Sequence, residues 1–255
     1  MNKQQFEKLN QHLIGYKISK PISGTLSGHA AGEPFEKIIY QFLKGANPLK
    51  VFKQFEYLND LYRKNQTVIG HKARSALFHS PTLLFLLSRG VQATDKWSET
   101  NLFEEKQNDT ADILQINSDF YELIDVKTRN IDKSAQAPNI ISAYKLAQVC
   151  AKMIDNQEFD VFSINYLEVD WKLEQDALVC KNLHYAELFK TNPQDLYINW
   201  AAAMQIQFHV CDLDQSFSLS REDWAKLYLQ HFVTQAKRRA DDMINKFVKP
   251  FEKYF

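Results

Sequence analysis

The chain has 255 residues, 45% of them hydrophobic and 24% charged. That composition excludes a disordered chain and leaves room for a sizeable core. Lys plus Arg (31) balances Asp plus Glu (31), so no net charge draws it to a polyanion and any nucleic-acid site must be local. The three cysteines, Cys150, Cys180 and Cys211, are far apart with no CxxC, and the histidines form no HExxH. This argues against a zinc ribbon or a redox pair and suits thiols in a reducing cytosol. The N-terminal MNKQQFEKLNQHLIGYK lacks the apolar core of a signal peptide. The longest apolar run, LLFLL at 83–87, is too short to span a bilayer. The expectation is a soluble cytoplasmic protein with no membrane partner. Gly and Pro number seven each and are dispersed. With no linker, repeat or low-complexity block, residues 1–255 read as one domain.

In chain order, GEPFEKIIYQFLKG (32–45) predicts a helix with Pro34 in its first turn and Gly45 at its exit. Phe35, Ile38, Ile39, Phe42 and Leu43 form its apolar stripe, and Glu33 and Glu36 fit the first turn, where acids favour the helix dipole. SPTLLFLLSRG (80–90) predicts a buried helix with Ser80 as N-cap, Pro81 next and Gly90 at the exit. Residues 111–130, ADILQINSDFYELIDVKTRN, predict a hairpin about Asn117-Ser118-Asp119. A helix is expected over 138–155, and strands over EFDVFSINYLEVDWKL (158–173) and LYINWAAAMQIQFHV (196–210). Ser220 to Lys249 predicts a long helix with Asp223 completing a capping box. The order of elements implies an α/β domain with a mixed central β-sheet flanked by helices rather than a clean βαβ alternation.

The hairpin carries the chemistry. Strand side chains alternate faces, so Asp125 and Lys127 share one side, about 7 Å apart along the strand. Folding the chain back about Ser118 puts Asp112 opposite Ile124 and beside Asp125. Two carboxylates with no imidazole or thiol suit a hard cation, Mg²⁺ or Mn²⁺. The lysine beside them suits a phosphate or an attacking water, the pattern of metal-assisted phosphodiester hydrolysis. Acid-x-Lys alone is weak, because Glu104-Glu105-Lys106 and Asp170-Trp171-Lys172 also have it. Asp160, upstream of the latter, would lie about 33 Å from Asp170 along one extended strand. Asp170 and Lys172 read as the solvated face of a strand, and Glu104 and Lys106 as a solvated loop. Only residues 112, 125 and 127 are brought together by a hairpin. A surface ion pair on the sheet remains the alternative reading of that set. Lys127, Arg129, Lys133 and Lys145, against Asp132 alone, make the one local basic stretch.

Asp112, then Asp125-Val126-Lys127, resembles the PD-(D/E)xK nuclease superfamily, with Ala111 where the leading Pro would stand. SGTLSGHAAGEPFEK, SPTLLFLLSRG, NLFEEKQNDTADIL, DVKTRNI, KSAQAPNIISAYKLAQ and LYINWAAAMQIQFHV carry a closer resemblance to the HincII/HindII-type restriction endonucleases, from about residue 14 to residue 251. The resemblance implies a homodimeric type II enzyme that cuts double-stranded DNA at GTYRAC between Y and R, leaving blunt ends with 5′-phosphates. A cognate DNA methyltransferase is expected in the same system. It also implies Mg²⁺ on Asp112, Asp125 and the Val126 carbonyl, with Lys127 beside the attacking water. Gln136 matches a glutamine that wedges into the DNA stack, and Asn199, Ala201 and Ala202 match a major-groove reader. Asn139 and Asn199 can pair with base edges. His29, in the Gly/Ser-rich SGTLSGHAAG, and Arg129 are further candidate DNA contacts. Lys237, Arg238 and Arg239 read as a solvated helix face. A structure-selective repair or junction nuclease, or a DNA-binding protein that does not cut, is the rival reading.

Overall fold

The computed structural model describes residues 1–20, 28–66, 77, 79–90, 97, 104, 106, 109–134 and 136–255; of 28–31 and 64–66 it describes the backbone alone. The elements preceding the hairpin are α1 (Lys3–Leu13), β1 (Lys17–Ser19), α2 (Gly28–Ala46), β2 (Val51–Phe52), α3 (Gln54–Gln66) and α4 (Pro81–Leu87). The hairpin is β3 (Ile113–Asn117) and β4 (Phe120–Asn130), followed by β5 (Asn139–Ser142), α5 (Ala143–Asn156), β6 (Phe162–Glu174) and β7 (Ala177–Glu187). Two short strands, β8 (Ile198–Asn199) and β9 (Gln205–Gln207), precede the C-terminal helix α6 (Arg221–Met243). Six strands form one sheet in the order β1-β7-β6-β4-β3-β2, and β5-β9-β8 form a second. The β4–β6 pair is parallel and the others antiparallel, so the mixed α/β architecture is as expected.

The large sheet is covered on both faces. Tyr121 and Leu123 of β4 point into one apolar cluster with α3, α4, α5 and α6. Ile124 and Val126 point into the other, with Leu9 and Leu13 of α1 and Phe35, Ile39 and Leu43 of α2. Central β6 is therefore buried on both sides for most of its length, as a strand with a parallel neighbour usually is. Asp125 and Lys127 continue the face of Leu123 by the period of two.

The caps at Ser80 and Ser220 form as expected. Ser80 Oγ accepts the Leu83 N–H at 3.0 Å and Ser220 Oγ the Asp223 N–H at 3.0 Å. Other elements differ. Helix α2 begins at Gly28, so Pro34 lies inside it and Glu33 and Glu36 are beyond the first turn. Residues 139–142 are strand β5, and the helix expected from 138 begins at Ala143 with Ser142 as N-cap. The 196–210 segment is a hairpin, β8 and β9 turned at Ala203 and Met204 with φ of 51° and 57°. β6 starts at Phe162. Its Asp170 is 2% exposed rather than solvated. The Arg129 guanidinium meets it with two hydrogen bonds of 2.8 and 2.9 Å, and His184 Nε2 lies 3.0 Å away.

Candidate active site

The hairpin closes one residue tighter than expected. Asn117 pairs with Phe120 across a two-residue loop, with Ser118 at φ 56°. Ile113 therefore pairs with Ile124, and Asp112 falls in line with Asp125 instead of Ile124. The β3 ladder ends there, leaving the β4 edge beyond Ile124 without its neighbour. The Val126 N–H points to that open edge and donates to Asp112 Oδ2 at 2.7 Å. A strand residue sends its N–H and C=O to the same edge, so the Val126 carbonyl shares that direction.

On the adjoining face, Asp125 Oδ2 is 2.8 Å from Lys127 Nζ. It is buried, and Lys127 is the cation that faces it. Burial and then the Asp125 charge push the Asp112 carboxyl up to about 7, against the Val126 N–H and Lys127, which lower it. Burial pulls the Lys127 amine down, but the Asp125 carboxylate outweighs it and the net shift is upward. A buried carboxyl that resists ionising beside a second carboxylate, with a single ammonium facing the pair, is a site short of positive charge. Among the described residues no three His, Cys, Asp or Glu side chains gather as a metal cage. Two carboxylates and a carbonyl fit a cation that keeps much of its water, which is how Mg²⁺ binds.

These groups line an open cleft of about 1380 Å³ with α2 on one side and the start of β5 and α5 on the other. Sequence reasoning did not assign to the site three residues of its wall and a fourth that bonds to the wall residue Asn139. Glu36 reaches in from α2 and pairs with Lys53. Tyr166 is the β6 neighbour of Asp125. Lys145 donates to Thr110 Oγ1 at 2.7 Å, and burial lowers its amine despite Asp109. The fourth is Gln207, 8% exposed on β9. Its Oε1 accepts from Gln136 Nε2 at 3.3 Å and Asn199 Nδ2 at 2.9 Å, and its Nε2 donates to Asn139 Oδ1 at 2.8 Å. Three expected DNA contacts thus meet on one buried amide, a grouping invisible until β5, β8 and β9 are paired. Asn139 lines the cleft. Asn199 Oδ1 also takes the N–H groups of Ala201 and Ala202, at 3.1 and 3.2 Å. Arg129 is turned elsewhere: beyond Asp170, its Nη1 donates to Cys211 Sγ at 3.0 Å. His29 falls in the first turn of α2, and its side chain lies outside the described residues.

Type II restriction enzyme HindII of Haemophilus influenzae (strain ATCC 51907 / DSM 11121 / KW20 / Rd) is 69% identical over 249 residues, covering 98% of this chain and 96% of the relative. Type II restriction enzyme HincII of Haemophilus influenzae matches with the same identity and coverage. Among solved structures, the NlaIV restriction endonuclease aligns with 94% of this chain and 90% of its own at 12% identity and a TM-score of 0.34. The family model for restriction endonuclease HincII matches residues 9–255, and the chain belongs to that family.

Proposed function

We propose that this type II restriction endonuclease hydrolyses double-stranded DNA at GTYRAC, between Y and R, leaving blunt ends with 5′-phosphates. Asp112, Asp125 and the Val126 carbonyl would hold Mg²⁺, which when bound supplies Lewis-acid stabilisation of charge on the phosphate oxygens and a more acidic water. One observation carries the reading: Asp112, fixed by the Val126 N–H, converges with Asp125 and Lys127 at the strand edge where the hairpin ladder ends. The chain's own part is positioning. Asp112 and Asp125 present their charge on the cleft floor. Lys127, cationic because Asp125 holds it so, orients a water for in-line attack and faces the scissile phosphate. Gln136, Asn139, Asn199 and the small Ala202 would meet the bases, with Gln136 wedging at the flexible pyrimidine–purine step. His29 and Arg129 stand as weaker candidates, Arg129 because its donors are already engaged. The chain would act as a single domain and a homodimer in the cytoplasm, alongside a methyltransferase that protects host sites.

The test is a plasmid digest with and without Mg²⁺, followed by run-off sequencing of the ends, for the native chain and Asp125→Ala. Blunt, metal-dependent cuts confined to GTYRAC, lost in Asp125→Ala, are expected. Metal-dependent cuts elsewhere would discard the site and keep the chemistry. Full activity in Asp125→Ala would refute the assignment of the centre.

A further inference from the structure

The hairpin ladder alone does not place Asp112. Strand β3 pairs with β4 only as far as Ile113–Ile124, and with β2 only as far as Leu114–Phe52. Among the described residues, no strand is paired with 109–112 on either edge. Yet the Asp112 carboxylate meets the Val126 N–H at 2.7 Å. Something outside the sheet must direct the chain there.

That part falls to Gln54, the first residue of α3, two positions after β2 ends. Gln54 is 1% exposed. A glutamine amide offers two donors and two acceptor lone pairs, and Gln54 uses all four. Its Oε1 accepts the N–H groups of Thr110 and Ala111 at 3.0 and 3.1 Å. Its Nε2 donates to the Leu87 carbonyl, at the end of α4, at 2.9 Å and to Asp109 Oδ1 at 3.2 Å. Successive N–H groups of an extended strand point to opposite edges. Two of them on one oxygen therefore require a bend, and the chain bends at Thr110, two residues before Asp112. The start of α3 is itself fixed. Glu56 Oε2 accepts the Lys53 N–H at 3.1 Å, and Tyr57, Leu58 and Leu61 pack in the core. Lys145 and Arg89 also grip this segment, through the side chains of Thr110 and Asp109. Gln54 grips the main chain that carries Asp112. It is not among the residues lining the cleft, so its effect on the reaction passes through Asp112.

We infer that Gln54 is a positioning residue: its amide bends residues 109–111 so that the Asp112 carboxylate sits against the Val126 N–H. The link to hydrolysis rests on the role proposed for Asp112; the placement does not. Two variants separate placement from stability. Gln54→Leu removes all four bonds. Gln54→Glu keeps an oxygen for the Thr110 and Ala111 N–H groups and loses the donors to Leu87 and Asp109. Both should melt below the native protein, since both leave the Leu87 carbonyl unpaired. Amide hydrogen exchange of the full chain, without DNA or metal, reads the placement. In Gln54→Leu the Val126 amide should exchange roughly tenfold faster or more relative to Asp125 and Lys127, whose N–H groups face β6. In Gln54→Glu that ratio should stay native. Plasmid cutting in Mg²⁺ reads the consequence. In Gln54→Leu kcat should fall roughly 100-fold with KM for DNA unchanged. Gln54→Glu should recover most of kcat although it melts low. Where the leucine variant does not fold, Gln54→Asn, one methylene shorter and equally polar, should show both changes in smaller size. A native Val126 ratio in the leucine or asparagine variant overturns the placement. An equal loss of kcat in the leucine and glutamate variants, tracking melting temperature, overturns the positioning role. A freed Val126 amide with native kcat upholds the placement and overturns the role of Asp112 in hydrolysis.

Discussion

Asp112 is where sequence, burial and chemistry meet in one side chain. Its carboxyl is driven up to about 7 by burial and by Asp125, from an ordinary value near 3.8. The folded, metal-free protein therefore keeps a proton that the unfolded chain has already lost. Stability must fall as pH rises from about 4 to 7, by at most about 1.4 kcal/mol per pH unit, and level off above that. Asp112→Asn removes the ionisation while keeping an acceptor for the Val126 N–H. Its melting temperature without metal should match the native protein near pH 4 and exceed it increasingly up to pH 7; parallel pH curves would sink the argument. Gln207 raises a second question at this scale, since Gln136, Asn139 and Asn199 all take their orientation from it. Gln207→Leu should lower the ratio of cutting at GTYRAC to cutting at one-base-changed sites roughly tenfold or more. Gln207→Glu keeps the acceptor for Gln136 and Asn199 but cannot donate to Asn139, so it should relax only part of the site. If the Leu variant melts lower yet discriminates as before, Gln207 is packing and nothing more.

Among the elements, β4 and β6 form the rigid floor that holds the acids in place, and a buried ion pair staples them together. Arg129 and Asp170 are register partners across the two strands, with His184 of β7 closing the group. Burial alone would raise the Asp170 carboxyl; the hydrogen bonds from Arg129 and His184 outweigh it and hold it below its ordinary range. The contribution is therefore complete above about pH 4 and is lost as pH falls through the lowered folded value. Asp170→Asn should cost about 2–3 kcal/mol in urea unfolding at pH 7, less than a fully buried pair because the Arg129 head is 23% exposed. The difference from the native protein should shrink as pH falls through the lowered Asp170 value; a constant gap across pH would mean the loss is one of packing. The sequence misled here because Asp170 alternates like a solvated position, and its partner lies 41 residues earlier. Elements whose signals are local read correctly: the Ser80 and Ser220 caps, the apolar stripe of α2 and the existence of the 111–130 hairpin. Of the elements defined by remote pairing, β6 was legible as a strand, whereas β5 and the β8–β9 hairpin were not. Strand β5, with Ile140 and Ile141 after Pro138, looked like the head of a helix because β9, its partner, is some 65 residues away. The convergence of Asp112, Asp125 and Lys127 was legible for the same reason the caps were, since one tight turn joins its two strands. The Gln207 cluster needed three strands to assemble first.

At the scale of the whole molecule, the described residues bring Asp112, Asp125 and Lys127 together at one place, the proposed hydrolytic centre. In the proposed homodimer each centre would face one strand of the duplex, and a double-strand break is two separate hydrolyses. Mixing native chains with an excess of Asp125→Ala chains, and allowing exchange, would give dimers with one working centre. Such dimers still carry both base-reading edges, so binding and site choice should survive while one strand is left intact. Supercoiled plasmid with a single GTYRAC site should then accumulate as open circle and pass only slowly to linear, whereas the native dimer gives linear directly. Linear product at the native rate from this mixture would mean that one centre serves both strands in turn, and the division of labour between copies would be wrong.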